Sequence, residues 1–94
     1  MATQTGPYNP IDYLESDDEI MEYLNDAYLD DDPRAFVLAL GNCAKHYGIS
    51  KLSGETGLNR ESLYKSFSGS VQPKWDTIQR VMKAMNIQIH VEAA

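Results

Sequence analysis

Cysteine and histidine are scarce in this chain, and long apolar runs are missing. The single cysteine, Cys43, excludes an internal disulfide and fits a reducing cytoplasm. No apolar run reaches the roughly 18 residues that a membrane-spanning helix needs, so no contact with the bilayer is expected. The opening MATQTGPYNP has neither a basic region nor an apolar stretch, so no signal peptide is expected. No Gly-rich phosphate loop is present, and no cofactor is expected. Cys43 and His46 stand three apart on one helical stretch, but two ligands do not make a zinc site, and His90 is the only other histidine. Cys43 reads instead as a small core residue. As a nucleophile pair, Cys43 and His46 lack a third orienting group and an oxyanion loop. Asp30-Asp31-Asp32 lacks the ligand spacing of a calcium loop and reads as a solvated helix boundary. No enzyme is expected.

Basic residues are also few. Lys and Arg number 8 against 14 Asp and Glu, a net charge of −6 over 94 residues. That total argues against nucleic acid as a partner, but the distribution changes the reading. Residues 1–47 hold 10 acidic and 2 basic side chains, a net of −8; residues 48–94 hold 4 acidic and 6 basic, a net of +2. The basic half suits phosphate, and the acidic half suits a basic protein. The 43% hydrophobic content supports one modest core, hence one small domain. Residues 1–11 read as a flexible tail and 12–94 as the domain.

The basic half contains ISKLSGETGLNRESLYKSFSG, residues 49–69, which reads as a helix-turn-helix. Gly57 stands where two short helices meet steeply, and glycine takes the positive φ of such a turn without steric penalty. Leu52, Leu58 and Leu63 are spaced to share one small core, and Ser53 suits the closest crossing of the helices. Asn59 is a good N-cap. Arg60, Glu61 and Ser62 fill the first turn of the second helix, with Tyr64 and Lys65 in the next. A helix in the DNA major groove reads bases with its N-terminal residues. Arg60 suits guanine edges or phosphate, Glu61 suits cytosine, and Ser62 is less selective. Two short helices around a glycine also occur in all-α proteins that never touch DNA. Gly54, inside the first helix, costs roughly 1 kcal/mol against Ala.

Around this unit the period is helical. Ser16 and Glu19 make a capping box, and Ile20, Tyr23, Leu24, Ala27 and Tyr28 form an apolar stripe. A second helix is expected from Pro33 to about Tyr47, with Gly48 as its stop and Phe36, Val37, Leu40, Cys43, Ala44 and Tyr47 inward. A last helix, from Lys74 to Met85, would turn Trp75, Ile78, Val81, Met82 and Met85 to the core, with Trp75 at its base and Asn86 at the C-terminal cap. Ile87, Ile89 and Val91 then alternate with polar residues, which predicts a strand over 87–92 that needs a partner. Tyr8, Ile11, Tyr13 and Leu14 form an apolar cluster that either folds back or anchors a partner.

Taken together, DYLESDDEIMEYLNDAYLDDDPRAFVLALGNCAKHYGISKLSGETGLNRESLYKSFSG followed by PKWDTIQRVMKAMNIQIHVEA resembles the small antitoxins of type II toxin–antitoxin modules. The resemblance is to the HigA-like addiction module antidote group with a Cro/lambda-repressor-type helix-turn-helix, and it covers nearly the whole chain. It implies an all-α, five-helix lambda-repressor-like domain. It also implies a basic RelE/ParE-like (HigB-type) toxin as partner, inhibition by direct contact, repression of the module's own operator, and a homodimer. Carried onto this chain, DNA contact falls on Asn59, Arg60, Glu61, Ser62, Tyr64 and Lys65. Toxin contact falls on the acidic front, residues 12–32, at Tyr13, Leu14, Asp17, Asp18, Ile20, Met21, Leu24 and Tyr28. Gly54 and Ser66, which stands where such repressors often place an apolar residue, depart from the pattern. A stand-alone helix-turn-helix repressor without a toxin is the alternative.

Overall fold

A computed structural model describes residues 9–94 of the chain. Residues 1–8, including Tyr8, lie outside the described residues. Within them the chain is all-α: a 3-10 turn, Pro10–Tyr13, precedes α1 (Asp17–Tyr28), α2 (Arg34–Tyr47), α3 (Ile49–Thr56), α4 (Arg60–Ser66) and α5 (Trp75–Ala84). The 3-10 turn and α1 pack on α2, α2 packs on α3, and α3 meets both α4 and α5.

Local chemistry sets the helix starts. Ser16 Oγ accepts from Glu19 N–H at 3.2 Å. Glu19 Oε1 reaches back to the N–H of Glu15, at 2.6 Å, one residue before the cap of a standard capping box. Asp32 Oδ1 accepts from Arg34 N–H at 2.9 Å, so it does the work of a cap for α2 across Pro33. Gly48, at φ 115°, ends α2. α5 ends in a Schellman motif: Asn86 takes φ 60°, its N–H donates to Lys83 O at 3.1 Å, and Ile87 N–H donates to Met82 O at 2.8 Å.

The core joins all five helices through Leu24, Ala39, Leu40, Cys43, Ala44, Ile49, Leu52, Leu63, Phe67, Ile78, Val81 and Met82, with Ile11 from the 3-10 turn. The fold-back of the N-terminal cluster is resolved by residue. Ile11 is fully buried and Leu14 packs partly against the core, while Tyr13 stays 59% exposed. The chain is docked on α2 from Asn9 onward. Asn9 Nδ2 donates to Asn42 O at 3.0 Å, and His46 Nδ1 lies 2.9 Å from Asp12 Oδ1.

Three expectations change. No strand forms over 87–92 among the described residues. Ile87 is taken up by the end of α5, and the residues after it have no neighbouring strand, so their backbone stays unpaired. Trp75 does not cover the core: it is 58% exposed at the first position of α5, where with Met82, Ile87 and Ile89 it lines an open groove of about 540 Å³. Leu24, expected at a partner surface, is only 5% exposed and holds α1 to the core.

Two glycines have opposite roles. A Cβ on Gly41 would lie 2.7 Å from Phe67 Cβ, so α2 and the end of α4 meet where only glycine fits. A Cβ on Gly54 would meet nothing within 4 Å. Gly41→Ala should therefore cost about 1–3 kcal/mol through overpacking. Gly54→Ala should add about 0.5–1 kcal/mol by restricting the unfolded chain. Urea denaturation midpoints of the two variants should move in opposite directions.

Candidate partner and nucleic-acid interfaces

The turn between α3 and α4 is built by short polar side chains. Gly57 takes φ 77°. Ser53 Oγ donates to Leu58 O at 2.6 Å, and Thr56 Oγ1 donates to Leu52 O at 2.8 Å while accepting from Leu58 N–H at 3.2 Å. Ser53 thus closes the turn as well as fitting the crossing. Asn59 Oδ1 caps α4 by accepting from Ser62 N–H at 2.7 Å. Leu52 and Leu63 are fully buried, with Leu58 partly buried beside them. Anchoring α4 inward through Leu63, with Phe67 just past its end, turns the other residues out. Arg60, Glu61, Ser62, Tyr64 and Lys65 are all exposed, Tyr64 by 47%, and Asn59 is exposed at their head. The six residues expected to touch DNA are therefore each open to solvent, although Asn59 commits its oxygen to the cap.

Tyr47 fixes this unit to the rest. Its hydroxyl lies 2.6 Å from Glu55 Oε1 on α3 and 3.1 Å from Ala84 O at the end of α5. The hydrogen bond to the Glu55 carboxylate, with some desolvation, raises the Tyr47 pKa. Lys51 Nζ sits 4.3 Å from the centre of the Tyr47 ring, a cation–π contact. Neither Tyr47 nor Glu55 stands out as a joint in the sequence, because the contact depends on how three helices meet.

The second surface lies on α1. Asp17, Asp18, Glu19, Glu22 and Asp26 are exposed along it, and Asp30 and Asp31 follow at its end. Among the described residues the ion pairs are Arg34–Asp32 at 3.0 Å and Arg80–Asp76 at 3.1 Å, with His46 Nδ1 2.9 Å from Asp12 Oδ1, so no carboxylate of α1 meets a cation. Arg34, by hydrogen bonding first and by charge, holds the Asp32 pKa down. Of the expected partner-contact residues, Tyr13, Asp17, Asp18, Met21 and Tyr28 are exposed; Ile20 and Leu14 are partly buried behind them, and Leu24 is in the core. Tyr28 is 70% exposed and packs edge-on against Phe36, ring centres 5.9 Å apart. Leu29, 69% exposed, belongs to the same surface. It falls outside the helical stripe of α1 in the sequence, and its position on the helix cap is what exposes it.

Among the described residues no group of three or more His, Cys, Asp or Glu is placed to hold a metal ion. No helix among them is long and apolar enough to cross a membrane. The arrangement defines a class: a small all-helical protein with an acidic, partly apolar face on one helix and a polar, partly basic face on another.

Sequence comparison places that class in a family. Residues 4–93 match the model of the probable addiction module antidote proteins, and the chain belongs to that family. It is also 35% identical over 92 residues to an uncharacterized protein of Haemophilus influenzae, covering 98% of this chain and 95% of that one. No solved structure matches it significantly. An antidote acts on a cognate toxin, so a toxin is this chain's partner class; such antidotes are typically non-enzymatic.

Cys43 gives a direct check on the packing. It is 5% exposed, and burial pushes its thiol pKa from the ordinary 9.0 up to about 11. Thiol reagents attack the thiolate. A rise of two units leaves about 100-fold less thiolate at pH 8. Ellman's reagent should therefore react at least about 100-fold more slowly with the folded chain than with the chain in denaturant. The sign also fixes the stability trend: the folded state keeps its proton more tightly, so this group's contribution is lost as pH rises from about 9 towards 11. A Cys43→Ala variant should lack that part of the alkaline decline.

Proposed function

We propose that this chain is an antitoxin of the HigA-like, Cro/lambda-repressor type. It neutralises a basic RelE/ParE-like (HigB-type) toxin by direct contact, and it represses its own operon by sequence-specific DNA binding in the cytoplasm. The observation that carries the reading is the separation of two chemically opposed faces on one small core. α1 presents Met21, Tyr28 and exposed carboxylates that form no ion pair among the described residues, with Tyr13 exposed in the turn before it, and α4 presents Arg60, Glu61, Ser62, Tyr64 and Lys65. A face of uncompensated acid steers and selects a basic protein. A short helix anchored by Leu63, with an arginine in its first turn, suits the major groove. As a homodimer the chain would offer two such helices to the half-sites of a palindromic operator.

In this reading Tyr13, Asp17, Asp18, Met21 and Tyr28 touch the toxin, Leu14 and Ile20 back them, and Leu24 supports the helix from inside. Asn59 sets the start of α4 and Lys65 meets phosphate. The test uses the purified chain, the protein co-encoded in its module and the promoter DNA of that module. Binding of both partners supports the antitoxin reading. Specific binding of the promoter with no binding of the co-encoded protein would instead favour a stand-alone repressor. Arg60→Ala should weaken specific DNA binding by about 1–3 kcal/mol if Arg60 reads a base, with relaxed preference at one operator position. Unchanged gel-shift affinity and selectivity would remove Arg60 from the interface.

A further inference from the structure

The corner where α1 ends and the chain turns into α2 exposes more apolar surface than a monomer needs there. Tyr28 and Leu29 are adjacent and 70% and 69% exposed, and Met21, one heptad before Tyr28 on the same face of α1, is 40% exposed. Tyr28 is not a loose side chain, because its edge contact with Phe36 fixes the ring. The surroundings are of one sign. Asp26, Asp30 and Asp31 are exposed around the corner, and the last turn of α1 contains no basic residue to offset the negative end of the helix dipole. Arg34, the nearest cation in sequence, is already bonded to Asp32 at 3.0 Å.

We infer that a basic protein partner docks at this corner by laying an arginine-bearing segment over Tyr28 and Leu29; the inference rests on the antitoxin reading and names the part of the acidic face that carries the contact. A guanidinium suits the place better than an ammonium, because it stacks on an aromatic ring, sheds water more easily and pairs side-on with carboxylates. A second copy of this chain is a poorer occupant. Its basic half carries a net of only +2 (6 basic against 4 acidic residues), with Arg80 already paired to Asp76 and Lys51 held over Tyr47. That is little charge to set against the −8 of residues 1–47 (2 basic against 10 acidic).

The experiment measures the full chain binding to the co-encoded toxin by surface plasmon resonance, with circular dichroism to confirm that each variant folds. Tyr28→Ala should weaken binding by about 30-fold or more, as truncation of a central aromatic anchor does. Tyr28→Phe should stay close to wild type, and Tyr28→Leu, which keeps apolar bulk without a ring, should still lose several-fold. Asp30→Asn with Asp31→Asn should slow association about tenfold at low salt. The amide oxygen this places at position 30 can still accept from Asp32 N–H, as the Asp30 carboxylate does, so the turn survives. Glu15→Gln with Glu92→Gln makes the same change in net charge at two exposed positions away from the corner and should have much less effect.

If wild type binds the toxin and the two double variants behave alike, charge acts without a location and the corner is wrong. If wild type does not bind the toxin at all, the antitoxin reading falls and the corner with it. A change of oligomeric state in the corner variants, seen by sedimentation, would make the occupant a second copy and overturn the assignment.

Discussion

The close approach of α2 to the end of α4, at Gly41, is the constraint on which the rest of the structure depends. Phe67 is buried to 6% exposure because α2 has no side chain at that point. With Phe67 seated, the α3–α4 pair is held against the central helix, and the remaining surface of α4 has nowhere to face but solvent. α1 and the 3-10 turn then pack on α2 as well. One helix thus carries both exposed faces, that of α1 and that of the α3–α4 pair, without letting either occupy the core.

The polar side chains around this frame act mostly as joints. Ser53 and Thr56 close the turn before α4, Asn59 starts it, and Tyr47 ties α2 to α3 and to the end of α5. Asn9 and Asn42 hold the N-terminal turn on α2, with Asn42 Nδ2 reaching the Tyr23 hydroxyl at 3.0 Å. No buried side-chain nitrogen or oxygen among the described residues lacks a partner. The core can therefore remain apolar, and the charged residues are left to the surface. That division leaves the acidic residues of α1 exposed to solvent.

The helices were legible from the sequence because their signals are local. Ser16, Gly48, Gly57 and Asn59 each act within one turn of their own position, and the structure places them at helix ends as their chemistry requires. The exposed row on α4 was legible for the same reason: the inward anchor Leu63 determines where its neighbours point. Asn86 likewise takes the left-handed conformation expected of a glycine-like cap.

What the sequence by itself determined, then, is the order of helices, their caps, the split of charge between the two halves and the outward polar residues of α4, all consequences of period and local hydrogen bonding. Only the tertiary structure decided what each apolar residue meets. Alternation in Ile87, Ile89 and Val91 is necessary for a strand but not sufficient, since a strand needs a neighbour and Ile87 was claimed by the end of α5. Trp75 has the right spacing for the core, yet sits at the open rim of a groove. Leu24 went inward and Leu29 outward although both lie in the acidic front. Gly41 looks like an ordinary helix interior glycine until Phe67 arrives from the end of α4. Spacing specifies a face, but burial depends on whether another element reaches that face.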